Sequence, residues 1–277
     1  MIIVYILAAI LIFGVLIAVH EFGHFAAAKL CGVRVNEFSI GMGPLIWHKE
    51  TAETQYSLRL LPIGGFCAME GEDEESGDER SLGRQGFFKK AVIFAAGSFM
   101  NFLAGFLIIL AVYSGAAGFL IPAAAGTAPE FEQQNGQTLQ AGDIFYEISG
   151  ERVYLYSDVS LLMSLHQGQP MDLVVLRDGE KVELNDITWG TYTGTEGETY
   201  QGYGIYIAGD QVEEANLWTL LKTSWLNTID FVRIVRLSLQ MLVTGQAGMD
   251  DLSGPVGIVS TITQVGTASE TIAAAVE

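Results

Sequence analysis

Three residues have types and a spacing that can do chemistry together: His20, Glu21 and His24, within His20-Glu21-Phe22-Gly23-His24. Histidines four apart fall on one face of an α-helix, one turn from each other. Two imidazoles so placed can share a zinc ion, and the glutamate between them can take a proton from a water that the metal activates. The element that must position them is the stretch before the motif. Met1 to Val19 carries no charge, and about 18 or more apolar residues in a row read as a membrane-crossing helix. If that helix continues through the motif, His20 lies roughly 27 Å along its axis, towards the far side of an apolar core of about 30 Å. Ionisable groups inside membrane segments are usually functional. The plain alternative is a pair of helix-end histidines near the headgroups.

Half of the 277 residues are hydrophobic and 17% are charged, too apolar a mixture for an ordinary soluble protein. The net charge of -18 argues against nucleic acid, whose phosphates need a basic face. Cys31 and Cys67 are isolated in sequence and read as free thiols. No basic region precedes the first apolar run, and no small-residue cleavage site follows it, so a retained anchor is expected over a cleaved signal peptide.

Eight of the fourteen basic residues lie between Lys29 and Lys90, and Ala91 to Pro129 is free of charge. A second membrane helix is therefore expected over 91–120, with Ala95, Ala96, Gly97, Ser98, Ala104 and Gly105 allowing close packing. Basic residues flank the inner ends of membrane helices, so residues 31–90 face the cytoplasm and the N-terminus faces out. Within that loop, Val33–Ile40 and Gln55–Leu61 read as strands of a hairpin dipping beside the zinc motif, its open edge able to pair with an extended substrate; a plain cytoplasmic hairpin is the alternative. The acidic run Glu70 to Glu79 reads as a solvated, flexible loop.

Residues 121–217 hold three basic and sixteen acidic residues. Strand-like runs at 144–148, 173–176, 182–184 and 203–207, an Asp178-Gly179 hairpin signal and a helical spacing over 157–165 predict a compact, water-exposed α+β module. From Leu217 to Val243 the chain is apolar but carries Lys222, Asp230, Arg233 and Arg236. Charges at a helix centre in lipid cost about 2.5–3.5 kcal/mol each, so an interfacial amphipathic helix over 213–244 is expected, with a spanning one as the alternative.

These parts together resemble the site-2 protease family of intramembrane zinc metalloproteases, in its bacterial branch that carries a PDZ domain. His20-Glu21-Phe22-Gly23-His24 is similar to the family's zinc motif, and Pro62-Ile63-Gly64-Gly65-Phe66 to its Pro-x-Gly-Gly-Tyr/Phe stretch. Ala95 to Phe102 resembles its Ala-Gly-Pro-x-x-Asn-Phe motif, with Ser98 in place of the proline. Leu139 to Ile144, followed by Ile148-Ser149-Gly150, resembles a PDZ signature, and Leu252 to Ile258 a segment before the family's third membrane helix.

The resemblance implies His20 and His24 as ligands of Zn2+, Glu21 as general base, and Asn101, Gly64 and Gly65 as substrate-binding. A packing amide between helices is the plain reading of Asn101. The implied fold is an α-helical multi-pass membrane protein with a membrane-associated β-hairpin and an inserted extracytoplasmic PDZ-like domain at 121–212. The implied setting is the bacterial inner membrane, with the zinc motif near the cytoplasmic side. Implied partners are transmembrane protein substrates, such as anti-sigma factors or signal-peptide remnants, the lipid bilayer, and a peptide tail at the PDZ-like domain.

One departure stands out. The family's third ligand is an aspartate in a Leu-Asp-Gly motif on a later membrane helix, and that motif does not occur in the 277 residues. Asp250 and Asp251 precede the Leu252–Ile258 segment, whereas the family's aspartate follows it; His48 and His166 are poor substitutes. The expectation is a C-terminally truncated member, with 245–277 as the start of its catalytic half, that binds zinc poorly and cuts slowly. The competing expectation is a catalytically silent, membrane-anchored PDZ adaptor.

Overall fold

The computed structural model describes residues 2–72, 74, 76–194 and 197–245. The chain divides into two compact units, one over Met1–Gly105 and taking in the chain from Ser238, the other over Phe106–Leu237. The segment Leu252–Ile258 and the aspartates Asp250 and Asp251 lie outside the described residues.

The first unit is built on two long helices. Helix α1, Ile2–Cys31, runs unbroken through the histidine motif, and Gly32 ends it with a φ of +79°. Helix α2 covers Phe87–Tyr113. It starts four residues earlier than charge alone suggests, because Lys89 and Lys90 sit in its first turn with their amines folded back onto the carbonyls of Cys31 and Gly83. Both helices are long and apolar enough to cross a membrane, and only 6% and 11% of their most apolar windows are buried. Apolar side chains turned outward on that scale suit lipid and not water.

Between the helices, strands β1, Val35–Glu50, and β2, Gln55–Met69, form the expected hairpin, but it is longer and folds over on itself. Phe38 stands opposite both Tyr56 and Cys67, and Ser39 opposite both Ser57 and Phe66. The far arm, Trp47–Glu50, pairs with Gln55–Leu58. From the sequence the strands are expected to end at Ile40 and Leu61, just before Gly41 and Pro62. Instead the strands bend there and continue, with Gly41, Gly43 and Gly64 at φ of +85°, +81° and +106°. Lys29 pins the hairpin turn to the end of α1 through Glu53 and Thr54, each at 2.7 Å. Ala27, Ala28, Val33, Val35, Cys67, Met69, Leu82 and Ile93 form the core under it. The acidic loop is more tied than a solvated run: Glu70 accepts from Ser76 and Asn36, Glu72 from the Met69 amide, and Asp78 from the Arg80 amide.

The second unit is α+β. After β3 (Gly118–Leu120), β4 (Ala124–Thr127) and the short helix α3 (Phe131–Asn135), the chain enters a four-stranded antiparallel sheet. Its strands are β5 (Ile144–Ile148), β6 (Glu151–Arg152), β7 (Met171–Arg177) and β8 (Glu180–Ile187), in the order β6-β5-β7-β8, with helix α4 (Tyr156–Leu165) inserted after β6. Asp178 and Gly179 join β7 to β8 with both φ positive, the backbone a two-residue hairpin loop requires. Short ladders follow: β9 (Gly190–Thr193) pairs with β10 (Thr199–Gly202), β11 (Ile205–Ile207) with β4, and β12 (Val212–Glu214) with β3. Phe131, Phe145, Ile148, Val159, Leu162, Leu173 and Val175 are fully buried between these elements.

Helix α5 covers Leu217–Thr244. Asp230 and Arg233 are buried, not turned to water. Arg233 pairs with Asp158 at 2.8 Å and with Asp230, and it donates to the Arg152 carbonyl. Asp158 in turn accepts from the Tyr154 and Leu155 amides at the start of α4. The opposite face exposes Leu217, Trp218, Phe231, Val232 and Val235.

Candidate metal centre

The site lies within the first unit and is built from α1, α2 and the hairpin. Four residues apart on an unbroken helix, His20 and His24 present their rings edge-to-face, centroids 4.8 Å apart. Their Nε2 atoms converge to 3.2 Å. Helix α2 comes close because both helices carry glycine at the crossing. A Cβ on Gly23 would collide with the Ala96 carbonyl. A Cβ on Gly97 would stand 2.5 Å from His24 Nε2 and 2.7 Å from His20 Nε2. Gly97 therefore leaves the space the two imidazoles occupy.

Helix α2 also contacts the outer nitrogens of both rings. His24 Nδ1 lies 2.7 Å from the Ile93 carbonyl, which can only accept. The Nδ1 proton is thereby fixed and the lone pair of His24 is left on Nε2. On His20, Nδ1 lies 3.4 Å from the Asn101 amide nitrogen. Ile93, Gly97 and Asn101 are spaced four apart, so one stripe of α2 backs the whole pair.

Glu21 faces the hairpin. It lines a cavity of about 220 Å³ with His24, Cys67, Met69, Glu72 and Phe94. A Cβ on Gly65 would reach 3.4 Å from the Glu21 Cγ, so the second arm of β2 passes directly beside the carboxylate's stem. Gly64 turns the other way, against the Met42 side chain. Burial, with Glu21 and Glu72 adding to it, pushes the Cys67 thiol up to about 12. At neutral pH it is a packing thiol and not a nucleophile.

The geometry suits zinc. Two Zn–N bonds of about 2.05 Å at a tetrahedral angle place their nitrogens about 3.3 Å apart, and the Nε2 pair stands at 3.2 Å. Among the described residues, no cluster of three or more His, Cys, Asp or Glu side chains is placed to hold a metal. His48 lies on the far arm of β1, opposite Ser57. His166 belongs to the second unit, where its Nδ1 meets the Leu162 carbonyl at 2.9 Å.

The structure thus brings His20, Glu21, His24, Gly65 and Asn101 together and leaves Gly64 against Met42. Sequence reasoning took Gly97 as one small residue among several and missed the Ile93 carbonyl. The available signal was the four-residue spacing of Gly97 from Asn101, which puts a side-chain-free position one turn from a polar one.

Comparisons with known proteins agree with this chemistry. The sequence profile of Peptidase family M50 matches residues 8–276. A protein of Clostridium perfringens named as a zinc metalloprotease is 35% identical over 258 residues, covering 92% of this chain and 74% of the relative. A Clostridium acetobutylicum protein of the same description is 33% identical, covering 92% and 73%. The Bacillus subtilis Regulator of sigma-W protease RasP is 25% identical, covering 94% and 80%. The chain belongs to peptidase family M50, the site-2 proteases, and is a zinc metalloprotease of the membrane.

Proposed function

We propose that this protein is an intramembrane endopeptidase that cuts membrane-spanning segments of other membrane proteins, with His20 and His24 holding zinc and Glu21 as general base. The observation that carries this reading is the pair of Nε2 atoms at 3.2 Å with Glu21 on the intervening turn. When bound, zinc supplies a Lewis acid that lowers the pKa of water and polarises a carbonyl. Glu21 takes the proton of the attacking water and passes it to the amide nitrogen as the C–N bond breaks. The low-dielectric setting strengthens each of these charge movements.

A membrane helix must open into an extended strand before its backbone can be reached. Gly65 beside Glu21, in an arm of β2 that pairs on one side with residues 38–40, supports recognition of such a strand by backbone pairing along that arm's other side. The acidic α+β unit suits a PDZ-like extracytoplasmic module that filters substrates or holds a peptide tail. The basic residues between Lys29 and Lys90 support an N-terminus facing out and a multi-pass arrangement. The likeness to a sigma-W regulatory protease supports regulatory membrane proteins, such as anti-sigma factors, as the substrate class.

One observation favours a second reading, a silent membrane-anchored adaptor with weak zinc binding. Among the described residues only two ligands are placed, whereas catalytic zinc sites hold three. Reconstitution of residues 1–277 with a single-span substrate separates the two. The protease reading expects cleavage that falls by about 10²–10⁴ in Glu21→Gln. No cleavage by either form, with substrate still captured, supports the adaptor.

A further inference from the structure

We infer that Asn101 is the positioning residue of His20: its carboxamide oxygen accepts the Nδ1–H of that ring and holds Nε2 ready for the metal. The inference rests on the reading of His20 and His24 as zinc ligands and goes beyond it, because it assigns what decides whether His20 can ligate at all.

The two histidines are supported differently. The Ile93 carbonyl settles His24, since a backbone oxygen can only accept. Among the described residues His20 Nδ1 meets no carbonyl; it meets a carboxamide, which can offer either a donor or an acceptor to the same point. The choice matters. With the amide nitrogen towards the ring, Nδ1 must accept, so the ring proton sits on Nε2 and points at His24 Nε2, 3.2 Å away. That proton occupies the lone-pair direction a metal needs. Ligation through Nε2 requires the proton on Nδ1, and there it must face an acceptor.

A second observation shows that only one end of the carboxamide is engaged. The Asn101 Oδ1 is a buried oxygen with no hydrogen-bond partner among the described residues. Leaving a buried acceptor unpaired is costly, and each such group calls for an explanation. A half turn about χ2 exchanges the two ends of the carboxamide. It brings Oδ1 to the ring nitrogen, places an acceptor where the ligating tautomer needs one, and moves the amide nitrogen into the position the unpaired oxygen held. The ring stays neutral throughout: one proton leaves Nε2 to solvent and one is taken up at Nδ1. The amide nitrogen there is an unpaired buried donor until a substrate carbonyl accepts from it, so the two roles of Asn101 use different atoms.

Placement on α2 explains why asparagine suits the position. Asn101 is two turns from Ile93, with Gly97 between them, so its short side chain projects onto the ring. A glutamine would be one methylene too long for the same distance.

The test is zinc affinity, measured by chelator competition on the full chain in detergent. Asn101→Leu keeps the size and removes both polar atoms; it is expected to weaken zinc binding about 10–100-fold. Asn101→Asp keeps an acceptor and loses the donor; it is expected to bind at least as tightly as the parent. Asn101→Ala provides the same deletion without bulk should the leucine variant fail to fold. Unchanged affinity in the folded Leu or Ala variant overturns the inference, as does an Asp variant as weak as Leu. His24→Ala separates the two levels. If it loses zinc while Asn101→Leu does not, only the positioning role fails; if it keeps zinc, the site itself is misassigned.

Discussion

At Asp143 a single carboxylate holds two parts of the second unit together. Its Oδ2 accepts from the Gln140 amide, and Arg177 reaches it with two nitrogens at 2.9 and 2.6 Å. Burial pushes the carboxyl up, and the Arg177 and Gln140 hydrogen bonds outweigh it, leaving the group below its ordinary range. A carboxyl whose folded pKa is depressed contributes stability above its unfolded value, near pH 3.9, and loses it as pH falls through the folded one. Hydrogen-exchange protection of the β5 amides is therefore expected to decline on acidification below about pH 4. Asp143→Asn should remove about 1.5–3 kcal/mol at neutral pH and flatten that acid limb; an unchanged limb would contradict the assignment. Residues of this kind are only half legible. Gly142-Asp143 announces a turn in the sequence, but the partner thirty-four residues on is fixed by the β5–β7 register. The same holds in the metal centre, where the histidine spacing is local and readable and the Ile93 carbonyl is not.

At the level of elements, the two long helices were readable because twenty apolar residues leave few alternatives, and only their ends moved. The folded-over hairpin was not readable. Which arm pairs with which depends on where the glycines bend, and no short-range pattern encodes that. Helix α2 does more than pack: at Gly97 it leaves the volume that both imidazoles use. Gly97→Ala is expected to displace the rings and lower zinc affinity at least about tenfold, while helix content by circular dichroism stays near the parent's. Full zinc affinity in that variant would mean the rings have room elsewhere. Helix α5 makes the parallel point for charge. Its four charges mark an amphipathic helix in the sequence, but their partners are not legible there: Asp230 and Arg233 close a buried network with Asp158. Arg233→Met leaves two carboxylates buried without their cation and is expected to cost about 3–5 kcal/mol. Exchange protection at the start of α4 should fall with it, because Asp158 also holds the Tyr154 and Leu155 amides. Unaltered protection there would place the network outside the stability of the unit.

For the whole molecule, the division of labour follows composition. An apolar unit of outward-facing helices carries His20 and His24, and a unit whose 121–217 stretch is strongly acidic carries none of the candidate site residues. Family membership fixes the chemistry as zinc-dependent proteolysis, and the proposed site is one turn of α1 backed by α2. Zinc K-edge absorption of the purified full chain tests that assignment most directly. Two histidine nitrogens are expected at about 2.0–2.1 Å from the metal, both absent after His20→Ala with His24→Ala. A zinc environment unchanged in the double variant would contradict it.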